Sequence, residues 1–185
     1  MSSTSTPRAS ETSQARTEKT HSTANQKTMQ EAMKPGPEHA KLVKGVGTWK
    51  VAVTCWMDGK ATKSTGTSKV SALFDDRYTH EEFTGEFDGK KFQGVGTMGY
   101  DNAAKLVVST WYDSMGTGIV YTSGSAAAKG KDLELRGEMT CPIKGPMTLR
   151  QVHKQESDDH CSVTMYNIVD GKETKSMELA YTREH

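Results

Sequence analysis

The sequence predicts an all-β fold, an antiparallel up-and-down barrel of about ten strands. Three observations carry this expectation. Apolar and polar residues alternate with a period of two along several segments, as in half-buried strands. Turn dipeptides recur at short intervals. No long helical segment lies between them, so consecutive strands are joined by short links and must run antiparallel. A meander of this length leaves exposed edges unless it closes, and a barrel removes them.

The first 33 residues of the 185-residue chain differ from the rest. Residues 1–30 hold thirteen Ser or Thr and five apolar residues, with no aromatic side chain and no Val, Ile or Leu. Such a segment buries too little apolar surface to offset its chain entropy, so residues 1–33 are expected to be a disordered tail. Residues 34–185 form the expected barrel domain, large enough for one core. Pro35-Gly36-Pro37 interrupts any helix. Glu38 to Val43 can then form a short helical turn, ended by Gly45 and Gly47.

From Thr48 the period becomes two. Trp49, Val51, Val53, Cys55 and Met57 alternate with Lys50, Ala52, Thr54 and Trp56. Leu133, Leu135 and Met139 alternate with Glu134, Arg136 and Glu138, and Met177, Leu179 and Tyr181 with Ser176, Glu178 and Ala180. Asp58-Gly59, Asp88-Gly89 and Asp170-Gly171 are hairpin dipeptides. Asp101-Asn102, Met115-Gly116, Lys129-Gly130, Lys144-Gly145 and Asp158-Asp159 mark the other turns. The expected strands are 48–57, 61–73, 77–87, 90–100, 105–113, 117–125, 132–140, 146–154, 160–169 and 173–183.

Composition narrows the function classes. Lys and Arg number 24 against 23 Asp and Glu, a net charge of +1, which argues against a nucleic-acid binder. No run approaches the roughly 18 apolar residues of a membrane helix. The N-terminus has no apolar signal segment. Cys55, Cys141 and Cys161 are odd in number and widely spaced, which favours free thiols and a cytoplasmic location.

Gly47-Thr48-Trp49, opening the first strand, resembles the mark of the calycin superfamily, which includes lipocalins, fatty-acid-binding proteins and nitrobindins. That resemblance implies that an Arg of the last strand packs over the Trp and closes the barrel base. Arg183, on the face of Met177, Leu179 and Tyr181, matches this role. More closely, the chain resembles a bacterial lipocalin-like family of unknown function. The resembling stretches are Lys34 to His39, Gly47-Thr48-Trp49, Phe92-Gln93-Gly94, Gly99 to Asn102, Ser109 to Gly118, Met165-Tyr166 and Tyr181-Thr182-Arg183. One departure stands out. The family usually has Gly-Gly-Arg or Asp-Gly-Arg before its third strand, whereas this chain has Asp75-Asp76-Arg77. Nitrobindin-like relatives place a haem-ligating His where this chain has Met177, so no haem or other cofactor is expected.

Gly94 to Gly99 fits G-x-G-x-x-G, but a turn and another strand follow instead of a helix, so the dinucleotide reading fails. Glycines inside a strand mark bends or close approach. The six histidines show no metal-ligand spacing, and His153 reads as a structural residue beside an apolar face. Glu81 and Glu82 are adjacent on a strand and point to opposite faces, so they cannot act as a catalytic pair. No nucleophile with its base is evident.

The expected ligand-binding residues are Arg77, Glu81, Tyr100, Trp111, Asp113, Arg150 and Tyr166, with Trp49 and Arg183 closing the barrel. The aromatic side chains would supply a wall and the charged ones would orient a polar group. The leading expectation is a non-catalytic module that holds one small apolar or amphipathic ligand. Two others compete with it. One is a packed interaction barrel that forms a homodimer. The other is an enzyme using Asp113 or Glu81 as acid–base group beside Arg150.

Overall fold

The computed structural model describes residues 25–57, 59–126 and 132–185. The chain divides into two units after Lys34. In the first unit, residues 25–32 are helical and exposed throughout. Composition had assigned this stretch to the tail. It holds the helix formers Gln26, Lys27, Met29, Gln30, Glu31 and Ala32, with Lys27 and Glu31 paired one turn apart. Residues 1–24 of the expected tail, together with Asp58 and Lys129-Gly130, lie outside the described residues.

The second unit is a closed barrel with a short helical segment at its start. We label that helix α1 (Pro37–Leu42), followed by a 3₁₀ turn, Val43–Gly45. Pro37 occupies the first helical position, where its missing N–H costs nothing. The buried His39 turns back, and its Nδ1 accepts from the Gly36 N–H at 3.0 Å.

Ten strands follow: β1 (Gly47–Met57), β2 (Lys60–Leu73), β3 (Tyr78–Phe87), β4 (Lys90–Asp101), β5 (Leu106–Asp113), β6 (Val120–Ser125), β7 (Leu133–Cys141), β8 (Gly145–Gln155), β9 (His160–Val169) and β10 (Lys172–Arg183). Each strand pairs antiparallel with its sequence neighbours, and β1 pairs with β10 to close the ring. The all-β barrel expected from the periodicity is the observed fold. Asp88-Gly89 and Asp170-Gly171 both have positive φ at each residue, as two-residue hairpins require. β6 starts at Val120 instead of residue 117, because Gly116, Thr117 and Gly118 form an exposed link with no strand pairing. Before β3, Phe74, Asp75 and Asp76 all have positive φ, between 53° and 64°. Asp tolerates this conformation better than most residues, so the corner turns without the family's usual glycine.

β1 and β10 pair with Trp49 opposite Arg183. The guanidinium carbon lies 4.1 Å from the centroid of the indole. Arg183 also donates to the carbonyls of Val46 (2.7 Å), Lys44 (2.8 Å) and Asp158 (3.0 Å). The Trp49 Nε1–H donates to Gly45 O at 2.9 Å. These bonds tie the 3₁₀ turn to one end of the barrel, called the base below. Gly47 lies under the guanidinium. Its φ is +143°, and a Cβ there would come within 2.6 Å of Arg183 Nη1. The core packs just above the base, around Trp49, Val51, Phe83 and Leu179.

Arg183→Ala should lower the unfolding free energy by about 3 kcal/mol, through lost stacking and three charge-assisted bonds. Lys in its place should recover less than half, since one ammonium cannot stack and reach three carbonyls. Urea denaturation measures both variants, and an Ala cost below about 1 kcal/mol contradicts this assignment.

Candidate functional site: the barrel interior

Residues directly opposite one another on paired strands share a face of the sheet. Trp49, Val51, Val53 and Cys55 pair with Arg183, Tyr181, Leu179 and Met177. Tyr181, Leu179 and Met177 pair with Cys161, Val163 and Met165. Following the register onward places Gln151 and His153 on β8, Leu133 and Leu135 on β7, and Thr122 on β6 on the same inner face. Ser109, Trp111 and Asp113 on β5, Met98 and Tyr100 on β4, Glu81 and Phe83 on β3, and Ser68 on β2 complete it.

Four of the seven expected ligand residues therefore point inward: Glu81, Tyr100, Trp111 and Asp113. The other three do not. Arg150 and Tyr166 face each other across β8 and β9 on the outer surface, one residue out of phase with Gln151 and Met165. There the Arg150 guanidinium lies 4.1 Å over the Tyr166 ring. It also donates to both carboxylate oxygens of Glu173, each at 2.7 Å, and to Glu134 at 3.1 Å. Glu173 is held below the usual carboxylate range by that guanidinium. The group is an external clasp across β7, β8, β9 and β10. Arg77 precedes β3 and shares no strand face with Glu81; its Nη1 donates to Phe74 O at 2.8 Å within the corner.

Trp111 explains the glycine motif. A Cβ on Gly94 would meet Trp111 Cζ2 at 2.2 Å, and one on Gly96 would meet Cε3 at 3.2 Å. The two glycines give the indole a flat bed inside the barrel. Trp111 Nε1–H donates to Asp113 Oδ2 at 3.0 Å, and Asp113 Oδ1 accepts from the Met115 N–H at 2.9 Å. Asp113 thus braces the indole and the loop at the end opposite the base, called the mouth below. Tyr100 packs edge-on against His39, with ring centroids 5.8 Å apart.

Glu81 is the inward charge of most interest. Its Oε1 accepts from Ser68 Oγ at 2.6 Å and from Tyr181 Oη at 3.4 Å. Burial raises its pKa, which the two hydrogen bonds only partly counter. Tyr181 is pushed well above the usual phenol value by burial, then by the neighbouring Glu81 and Cys161. Cys161 is raised to about 11, mainly by burial. Nothing in the sequence marked Ser68, Tyr181 and Cys161 as partners of Glu81, because strand pairing alone brings them together. His153 sits across the interior, with Nε2 3.4 Å from Gln151 Oε1, and burial lowers it to about 4.

Glu81, Trp111, His153, Val163, Met165, Met177 and Tyr181 all face inward yet keep some accessible surface. Burial nevertheless dominates the pKa shifts of Glu81, His153 and Tyr181.

A closed ten-stranded antiparallel barrel with an apolar inner face and a few placed polar groups defines the class. The chain belongs to the family described as "protein of unknown function (DUF1579)", whose model matches residues 34–183. No curated protein matches it. Among solved structures, Rv2717c from M. tuberculosis is similar at a TM-score of 0.62 and 12% identity, covering 82% of this chain and 100% of that one. The ywiB protein from Bacillus subtilis matches at a TM-score of 0.29 and 14% identity, covering 75% of this chain and 91% of that one. The first likeness shows the fold alone, and the second carries no weight.

Two measurements test this interior. Gly94→Ala should displace the indole, cost about 1–3 kcal/mol and shift the tryptophan emission. An unchanged spectrum and stability contradict the bed assigned to Trp111. The second concerns pH. The folded pKa of His153 is depressed, so its contribution to stability is present above the usual histidine value of 6.5 and is lost as pH falls toward about 4. Glu81, raised in the fold, works in the opposite sense, gaining stability as pH falls. The difference between wild type and His153→Leu isolates the histidine. Thermal melts should show the variant losing less stability than wild type from pH 6.5 to 4, and parallel melts contradict the burial of the imidazole.

Proposed function

We infer that the protein is a non-catalytic binding module that holds one small, mainly apolar ligand inside the barrel. The carrying observation is the inner face itself. Trp111, Val163, Met165, Met177 and Tyr181 face a common interior and remain partly accessible. Aromatic and Met side chains around a hollow with few polar groups are the usual makeup of a ligand site. The ring of Arg183, Trp49 and the 3₁₀ turn covers the base, so a ligand would enter at the mouth. Met57, Met115, Ile119 and Ile143 stand exposed there.

The enzyme reading loses ground, because Arg150 lies outside the barrel and both Asp113 oxygens are engaged. A homodimer keeps one supporting observation. Tyr112 and Tyr121 lie side by side on the outer face of β5 and β6, 46% and 53% exposed, with Ile119 nearby at 71%. Such a patch suits a second copy. All three cysteines are free thiols, which supports a reducing, cytoplasmic setting. No helix among the described residues is long and apolar enough to cross a membrane.

Native mass spectrometry of the full chain, purified from cells, tests the binding module. The expected result is a discrete adduct of a few hundred daltons that is lost on denaturation. A bare protein mass that stays bare after incubation with dodecanol contradicts it. The same spectrum reports monomer or dimer.

A further inference from the structure

The uncommitted charge deep in the interior is acidic. Among the described residues, the inward acids are Glu81 and Asp113. Asp113 is occupied at both oxygens by Trp111 and Met115. Arg183 is the inward-facing cation of the base, and it is committed to three carbonyls, to the Trp49 face and to Asp159 at 3.4 Å. Lys60, Lys90 and Lys172 share the inner phase, but they stand exposed at the hairpin tips of the mouth. His153 is neutral at physiological pH. The deep interior thus offers no free cation to a ligand carboxylate.

Glu81 offers the opposite. Ser68 and Tyr181 both reach the same oxygen, Oε1. No hydrogen bond engages Oε2, yet no fully enclosed side-chain oxygen among the described residues lacks a partner. Oε2 therefore faces accessible space inside the barrel. Two donors on Oε1 hold the carboxyl, and no cation among the described residues pairs with it. Around it stand Tyr181 and Cys161, with Val51 and Leu179 of the core next to Tyr181 along β1 and β10.

We propose that Glu81 is the head-group site of the barrel and that the ligand is an amphiphilic amine, whose ammonium donates to Oε2 while its apolar body lies along Trp111, Met165 and Met177. This rests on the binding-module reading and names its ligand class. The ammonium supplies the missing positive charge, and binding draws the carboxyl into its ionised form. A fatty carboxylate supplies no counter-charge to Glu81 and meets no uncommitted cation among the described residues of the deep interior, so it gains no head-group pairing. A neutral alcohol of the same length gains the apolar contacts alone.

Quenching of tryptophan emission in the full chain, titrated at neutral pH with dodecylamine, dodecanol and laurate below their aggregation limits, separates these cases. Dodecylamine should bind about tenfold or more tighter than dodecanol, the worth of one charge-assisted hydrogen bond, and laurate weakest. Glu81→Gln, which keeps shape and one acceptor, should remove that advantage while leaving dodecanol unchanged. Dodecanol binding without preference for the amine, or an amine preference that survives Glu81→Gln, overturns the head-group site and leaves the binding module standing. Equal or tighter laurate binding also overturns it. Failure of all three probes to bind overturns both readings. A circular-dichroism melt of Glu81→Gln checks that the variant is folded. If it is not, Ser68→Ala serves instead, with a smaller loss of the amine advantage expected and no loss overturning the site.

Discussion

Closing a ten-stranded sheet requires the first and last strands to meet in one register, and here Trp49 and Arg183 are placed opposite each other in it. The guanidinium stacks on the indole and, through its edge, collects carbonyls from the 3₁₀ turn and from the β8–β9 link. One side chain thereby joins the two ends of the barrel sequence, covers the base and satisfies backbone acceptors that the turn leaves unpaired. Gly47 must be glycine for this to happen, since any Cβ would occupy the space of the guanidinium. The core built on Trp49, Val51 and Leu179 sits on that closure. On the proposed binding reading, the ligand enters at the mouth, opposite the covered base.

Above the core the inner face changes character. It carries large adaptable side chains, Trp111, Met165 and Met177, that pack against the core yet stay partly accessible. It also carries a buried carboxyl held by Ser68 and Tyr181 instead of by a cation. Burying a charge without a partner is costly, and a protein that only needed to fold could place an apolar residue at position 81. A buried acid kept without its counter-charge makes sense where a ligand supplies that charge. The outer surface follows the other pattern: the Arg150 cluster pairs its charges completely and bridges four strands.

Most of the fold was legible in the sequence. Period-two alternation and Asp-Gly dipeptides locate strands because both are local consequences of the pleat and of hairpin geometry. On β5 Leu106, Val108 and Tyr112 occupy the face opposite Trp111 and Asp113, so parity alone did not decide the phase there. The alternation was clean on β1, where Trp49, Val51, Val53 and Cys55 share the inner face. It failed at Arg150 and Tyr166. Polar and apolar residues mix on both faces of β8 and β9, so local pattern does not state which phase points inward. A bulge between Lys175 and Met177 also shifts the register of β10 against β9. Arg77 was read one residue inside a strand that starts at Tyr78. The partners of Glu81 come from β2 and β10, and only closure of the ring brings them to it. The helix over residues 25–32 was hidden by a mostly polar composition with no apolar stripe beyond Met29 and Ala32.

The binding-module reading requires the barrel to be hollow between Trp111, Met165 and Met177. Xenon enters apolar voids and leaves packed cores empty. Crystals of the protein, stripped of small molecules and pressurised with xenon, test this directly. A hollow barrel should show xenon density inside, bordered by Trp111, Met165 and Met177. Side chains closed upon one another there, with no xenon among them, would contradict it.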